Sequence, residues 1–193
     1  LEAIDLSTPT SPVKLGRYKA GSYFEALHIN GNYAYLSTRS FDSVFNYLWV
    51  IDISNPAFLT QATAYWPDMS VTGLFGSSGY LYAVSGDLTV FDVSGPSPVI
   101  ESATLTTPGF AQNIFVRNNY AYIADGSAGL IVADVSDPSN PQQLGTYDTD
   151  GEGLAVFANE SHIFVADGNN GKIHIFSTSY SITVDSPNGD ETW

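Results

Sequence analysis

The feature that most constrains this chain is a short motif that keeps returning. Asp-apolar-Ser-x-Pro occurs at Asp5 (DLSTP), Asp52 (DISNP), Asp92 (DVSGP) and Asp134 (DVSDP), at intervals of 47, 40 and 42 residues. A fifth, degenerate copy, GKIHIFS, sets Phe176 42 residues after Asp134. Between these marks runs an aromatic strand signal: YAYLS at 33–37, YLYAV at 80–84, YAYIA at 120–124 and HIFVA at 162–166. The third unit reads as VIESATL (99–105), QNIFVR (112–117), YAYIA and LIVADV (130–135), separated by Asn118-Asn119 and Asp125-Gly126 turns. Four strands in forty-odd residues is the unit of a propeller blade, and a solenoid coil needs fewer. The fold class expected is therefore all-β: a β-propeller of four-stranded antiparallel blades, with four blades in this chain.

The strand preceding each aromatic one supports that architecture. Leu27/Ile29, Leu74/Gly76, Ile114/Val116 and Val156/Ala158 share one face, with His28, Phe75, Phe115 and Phe157 between them on the other. A strand with water on one side alternates apolar and polar residues. Two apolar faces place this strand innermost, packed between neighbouring blades.

Composition narrows the function classes. The chain has 193 residues, enough to bury a sizeable core. Its 12 Tyr, 11 Phe and 3 Trp favour strands. The 6 basic and 20 acidic residues give a net charge of −14, which repels phosphate backbones, so no nucleic acid partner is expected. Without Cys there is neither a disulfide framework nor a thiolate metal site. No apolar run reaches the 18 residues of a membrane span.

At this point a family comes into view. NGNYAYLS, RNNYAYIADGSAGLIVADVSDPSNP and SHIFVADGNNGKIHIF resemble the LVIVD repeat of prokaryotic surface proteins, over about residues 1–177. The resemblance implies a propeller and an extracellular or cell-surface location. It implies no activity, since it carries no shared catalytic motif. Residues 178–193 break the repeat and form a tail, or the start of a following surface module resembling the SPNGGE-W opening of a β-sandwich.

Closure is the open question of the repeat count. Residues 1–20 read as the third and fourth strands of a blade, and 153–177 as the first three strands of another. In the simplest ring, the strand near Val13–Tyr18 completes the blade begun at 153 and hides its open edge. Residues 1–6 would then be a surplus strand. A larger ring with upstream repeats, or pairing between chains, are the rivals.

Candidate sites follow from this frame. The turn between strands two and three shares a rim with the inter-blade loop, which brings Asp42, Asp68, Asp125, Asp148, Asp150, Glu152 and Asp167 to one side. Calcium takes several oxygen ligands, and DTDGEG (148–153) spaces carboxylates at alternate positions. Asp125, Asp148, Asp150, Glu152 and Asp167 are thus the metal candidates, set against a role as solvated turn residues. No other cofactor is expected. The Asp of each repeated motif is expected to accept hydrogen bonds from turn amides. The insertion RSFDSVFNY (39–47) offers Phe41, Phe45 and Tyr47 as partner-binding aromatics on a long loop. His28, His162 and His174 align with packing positions, His174 with Val50, Val90 and Val132. No catalytic residue is assigned, and no nucleophile elbow is present.

The function expected is a non-enzymatic secreted or cell-surface scaffold mediating protein or carbohydrate interactions, as in adhesion. The alternatives are a structural subunit of an extracellular fibre, assembled by strand exchange or head-to-tail contacts, and a polysaccharide hydrolase or lyase on the same scaffold.

Overall fold

The structure is a computed structural model, and it describes residues 1–19, 23–39, 47–65, 70–95, 99–169 and 171–178. Every regular element in them is a β-strand. β1 (Glu2–Asp5) and β2 (Val13–Arg17) form an antiparallel pair. β3 (Tyr23–Asn30), β4 (Tyr33–Arg39), β5 (Tyr47–Asp52) and β6 (Thr60–Tyr65) form the first four-stranded sheet, paired in chain order. The second holds β7 (Gly73–Ser77), β8 (Tyr80–Ser85), β9 (Asp87–Asp92) and β10 (Ile100–Leu105). The third holds β11 (Asn113–Arg117), β12 (Tyr120–Ala124), β13 (Leu130–Asp134) and β14 (Gln142–Tyr147). The last sheet has three strands, β15 (Gly153–Ala158), β16 (His162–Asp167) and β17 (Lys172–Ser177). The expectation of antiparallel four-stranded sheets holds. The sequence unit, however, straddles two sheets: 99–105 contains β10, which is bonded to β9 at the outer edge of the second sheet.

Local chemistry explains the hairpins. Asn118 and Asn119 have φ of 50° and 66°, and Ser78 and Gly79 have 52° and 82°. Two consecutive positive φ values give the turn whose twist matches paired strands, and Asn and Gly reach it most cheaply. The outer hairpins share a second device. Ala62, Ser102 and Leu144 are each an extra residue in the ladder to the third strand, and Leu15 is the same in β2. Each bulge falls at the same register, opposite the step Val50/Ile51, Val90/Phe91, Val132/Ala133 or Ala3/Ile4. A bulge bends its strand and increases local twist.

The core is a series of layers between successive sheets. Ala34, Leu36, Ile51 and Leu59 pack against Leu1, Ala3 and Tyr18 of the N-terminal segment. Tyr35, Leu48 and Val50 meet Leu74, Leu81 and Phe91. Val84, Leu88 and Val90 meet Ile114, Ile123 and Ile131. Tyr122, Leu130 and Val132 meet Val156, Ile163 and Val165. Along the inner strands the rings of His28, Phe75, Phe115 and Phe157 touch in sequence, with centroids 5.1, 4.7 and 5.0 Å apart. This ladder sets β3, β7, β11 and β15 side by side in one row, as the two apolar faces of these strands require. Gly76 is small for the same reason, since a Cβ there would lie 2.7 Å from the His28 ring.

Two expectations need correction. The strand near Val13–Tyr18 does not complete the sheet begun at 153. β2 pairs with β1, and among the described residues β17 pairs with β16 alone. A short hairpin orders far less chain than a pairing across the whole sequence, so it carries the smaller closure entropy. Nor does β15 pack on β3 as β3 packs on β7. The second correction is one of register. Val132 stands opposite Tyr122, but Ile175, not His174, stands opposite the equivalent Phe164. His174 faces Val165 and so occupies the place of Ile131. The turn after Asp167 is one residue longer than the turn after Asp125.

Candidate functional site

Of the acids expected on one rim, Asp42 and Asp68 lie outside the described residues, and Asp125 and Asp167 bond to the chain's own loops. Asp125 ends the strand-two side of its turn and is fully buried. Its Oδ1 accepts the Thr107 hydroxyl at 2.6 Å, and its Oδ2 accepts the Gly109 amide at 2.8 Å. The loop from the second sheet is thereby fastened to the turn of the third. Gly109 must be glycine, because a Cβ would lie 2.0 Å from the Asp125 carbonyl oxygen. Gly126 and Gly153 then exchange backbone hydrogen bonds, tying that turn to the start of β15. Burial pushes the Asp125 carboxyl above its ordinary range; bonds from Thr107 and Gly109 oppose the rise, and nearby Asp87 adds to it.

Asp167 repeats the device one sheet later. It is buried, its Oδ1 accepts the Glu152 amide at 3.1 Å, and Gly151 lies so close that a Cβ would be 2.1 Å from that oxygen. His174 Nε2 lies 3.7 Å from Asp167 Oδ2, with its ring against Tyr147 and Phe176. The partners of these acids were missed in the sequence. The available signal was Thr-x-Gly, at Thr107/Gly109 and again 42 residues on at Thr149/Gly151. Thr149 is buried too, and among the described residues its hydroxyl has no hydrogen-bond partner.

The five calcium candidates are not gathered into one cluster. Asp125 and Asp167 serve separate turns. Asp148 Oδ1 accepts the Asp150 amide at 2.8 Å, a local turn in which Asp150 takes a positive φ of 61°. Glu152 contributes its amide, not its carboxylate, to Asp167. Among the described residues, no group of three or more His, Cys, Asp or Glu side chains is placed to hold a metal ion.

On the opposite rim the repeated Asp does what its spacing implies. Asp5, Asp52, Asp92 and Asp134 accept the amides of Ser7, Ser54, Ser94 and Ser136 at 2.8–2.9 Å. The serine amide and hydroxyl hold Asp5, Asp92 and Asp134 below the usual carboxylate range, and the Ser54 hydroxyl and amide do the same for Asp52. Of the aromatic candidates, Phe41 and Phe45 lie outside the described residues. Tyr47 is not a loop residue: it opens β5, is half-buried and stacks on Trp49 with centroids 5.1 Å apart. A ring held against the sheet in this way presents only part of its face to a partner.

The LVIVD repeat profile matches three consecutive stretches, residues 23–66, 71–107 and 108–149. The chain belongs to the LVIVD repeat family. Its matches cover the three four-stranded sheets and stop short of β1–β2 and β15–β17, which repeat the pattern in part. Among curated proteins no sequence matches the chain. Solved structures that share the fold include two designed proteins. The computationally designed Ika4 protein is 15% identical with a TM-score of 0.65, over 83% of this chain and 94% of that one. The computationally designed Ika8 protein is 13% identical with a TM-score of 0.66, over 86% of this chain and 50% of that one. This LVIVD chain thus spans nearly all of the one and half of the other. At such identities the likeness is one of fold, β-propeller-like, and nothing further.

Proposed function

We propose that this LVIVD chain is a non-catalytic scaffold, secreted or displayed at a cell surface, whose sheets act as four propeller blades presenting loops to protein or carbohydrate partners. The observation that carries this reading is the employment of its buried acids. Asp125 and Asp167, the carboxylates on which rim chemistry would depend, bond to the chain's own loops. Most glycosidases use two carboxyl groups flanking one scissile bond. Asp125 and Asp167 instead brace successive turns. Membership of a repeat family and an acidic, cysteine-free composition support the same reading. No described helix is long and apolar enough to cross a membrane.

The test is a panel of immobilised microbial and plant polysaccharides, with binding and turnover read on the same samples. The reading expects saturable binding to a subset, or to cell-surface protein extracts, without new reducing ends or unsaturated products. Release of either product by the purified chain would overturn it. A fibre-forming role is a second reading, favoured by the two uncovered ends of the sheet stack.

A further inference from the structure

The two ends of the sheet stack each carry an uncovered apolar face. On the front of the third sheet, Leu130 and Val132 are 3% and 5% exposed, because the last sheet covers them. Register assigns their counterparts in β17 as Ile173 and Ile175, which are 69% and 62% exposed. At the other end, Leu27 and Ile29 of β3 are 50% and 53% exposed. Their counterparts in β11, Ile114 and Val116, are 4% and 6% exposed. Leu27 and Ile29 are bare because the N-terminal pair supplies only the outer two strands of a sheet. Ile173 and Ile175 are bare because, among the described residues, no sheet stands in front of β17. Each face lacks what the other presents.

We propose that the chain associates head to tail with a second copy of itself, the β15–β17 sheet of one copy seating on the back of β3–β5 in the next. The joint continues a packing that the chain already makes between its own successive sheets. β15 and β16 supply the inner strands that the N-terminal pair lacks. The ring ladder continues from Phe157, 54% exposed, to His28 of the next copy. β2 is a fourth strand, and β17 lacks one. β1 and β17 both hold the third position, so one yields at the joint. β1 yields, being four residues long against six, with Leu1 and Ala3 standing where Ile173 and Ile175 pack. The strand exchange moves β2 from β1 to β17, with Ile175 taking the place of Ala3 opposite Gly16. A second copy is the occupant because both complementary faces belong to this chain and do not meet within one copy. A contact of this kind is heterologous, so each copy keeps one free face of each type unless the assembly closes.

The inference deepens the scaffold reading but is measured separately, by mass in solution and not by ligand binding, so either can fail without the other. Sedimentation velocity of the 193-residue chain, from micromolar to several hundred micromolar, is expected to show association above the 20.7 kDa monomer. Ile175→Asp blocks one face and Leu27→Asp the other. Both sites are exposed, so melting curves are expected to match the parent. Each variant alone is expected to weaken self-association by roughly tenfold or more. Mixed, the two retain one complementary pair of faces and are expected to form a one-to-one complex that grows no further. A parent that remains monomeric throughout the range overturns the proposal, whether its ends are closed on themselves or await a blade from elsewhere. So does a Leu27→Asp variant that dimerises as well as the parent, which would mean that like faces pair.

Discussion

Replacing Asp125 tests whether the rim acids are braces. In Asp125→Ala, the Thr107 hydroxyl keeps a partner, because the Gly86 carbonyl oxygen lies 3.0 Å away. The Gly109 amide does not, since its bond was to Oδ2. A fully buried donor left without a partner costs about 1–3 kcal/mol, and the part-buried Gly109 amide falls at the low end of that range. A loss of about 1 kcal/mol lowers the melting temperature of a chain this size by about 2–4 °C. Asp125→Asn behaves differently. Its Oδ1 accepts from Gly109, and its amide donates to Thr107, whose own proton turns to Gly86. The expected loss is under about 1 kcal/mol. The pH dependence adds a second signature. Burial raises the folded pKa of Asp125 above its unfolded value near 3.8. Its contribution is therefore fully present below that value and is lost as pH rises through the folded pKa. Asn does not titrate, so the variant gains on the parent between acid and neutral pH. Urea unfolding of all three proteins at several pH values reads both effects. An Asn variant as unstable as the Ala variant, or a gap that ignores pH, would refute the reasoning.

Three further outcomes are expected. Phe115→Ala, part-buried in the middle of the ring ladder, is expected to cost about 2–3 kcal/mol, below the full core value, and Phe157→Ala, more than half exposed at its end, far less; equal losses in thermal melts would count against the ladder. Asp5, Asp52, Asp92 and Asp134 have folded pKa values lowered by their serine bonds. Their contribution is present above the unfolded value and lost as pH falls through the folded one, so melting temperature is expected to drop below about pH 4; a melting temperature that holds steady there would remove these turns as a source of stability. Millimolar calcium is expected to leave the melting temperature unchanged, because the five candidate acids are engaged apart from one another; a rise of several degrees, with heat in a calorimetric titration, would restore a metal site.

What could be read in advance divides along a physical line. Short-range signals were reliable: paired asparagines predicted the 118–119 turn, Asp-x-Ser predicted the turn bonds, and two apolar faces placed β3, β7, β11 and β15 inside. Each of these depends on residues close in the chain or on a period that one strand carries. Long-range choices were not legible. β2 has the same pattern whether it pairs with β1 or with β17, and only the competition between them decides. The register of His174 was missed because a one-residue insertion in a turn changes no strand motif, yet moves every side chain of β17 to the opposite face. The metal candidates misled because a carboxylate that holds a cation and one that holds a backbone amide look alike in a sequence. An aromatic beside an insertion gives no sign of where the strand resumes, so the sequence leaves Tyr47 in the loop although it opens β5.

The bulge shared by Leu15, Ala62, Ser102 and Leu144 has a consequence for how such proteins change over time. Because each described outer strand bulges at the same register, the outer strand of one unit carries the shape that the others accept. Duplication or loss of a unit then leaves each seam compatible with its new neighbour, and the lineage can alter its repeat number without first redesigning the joints.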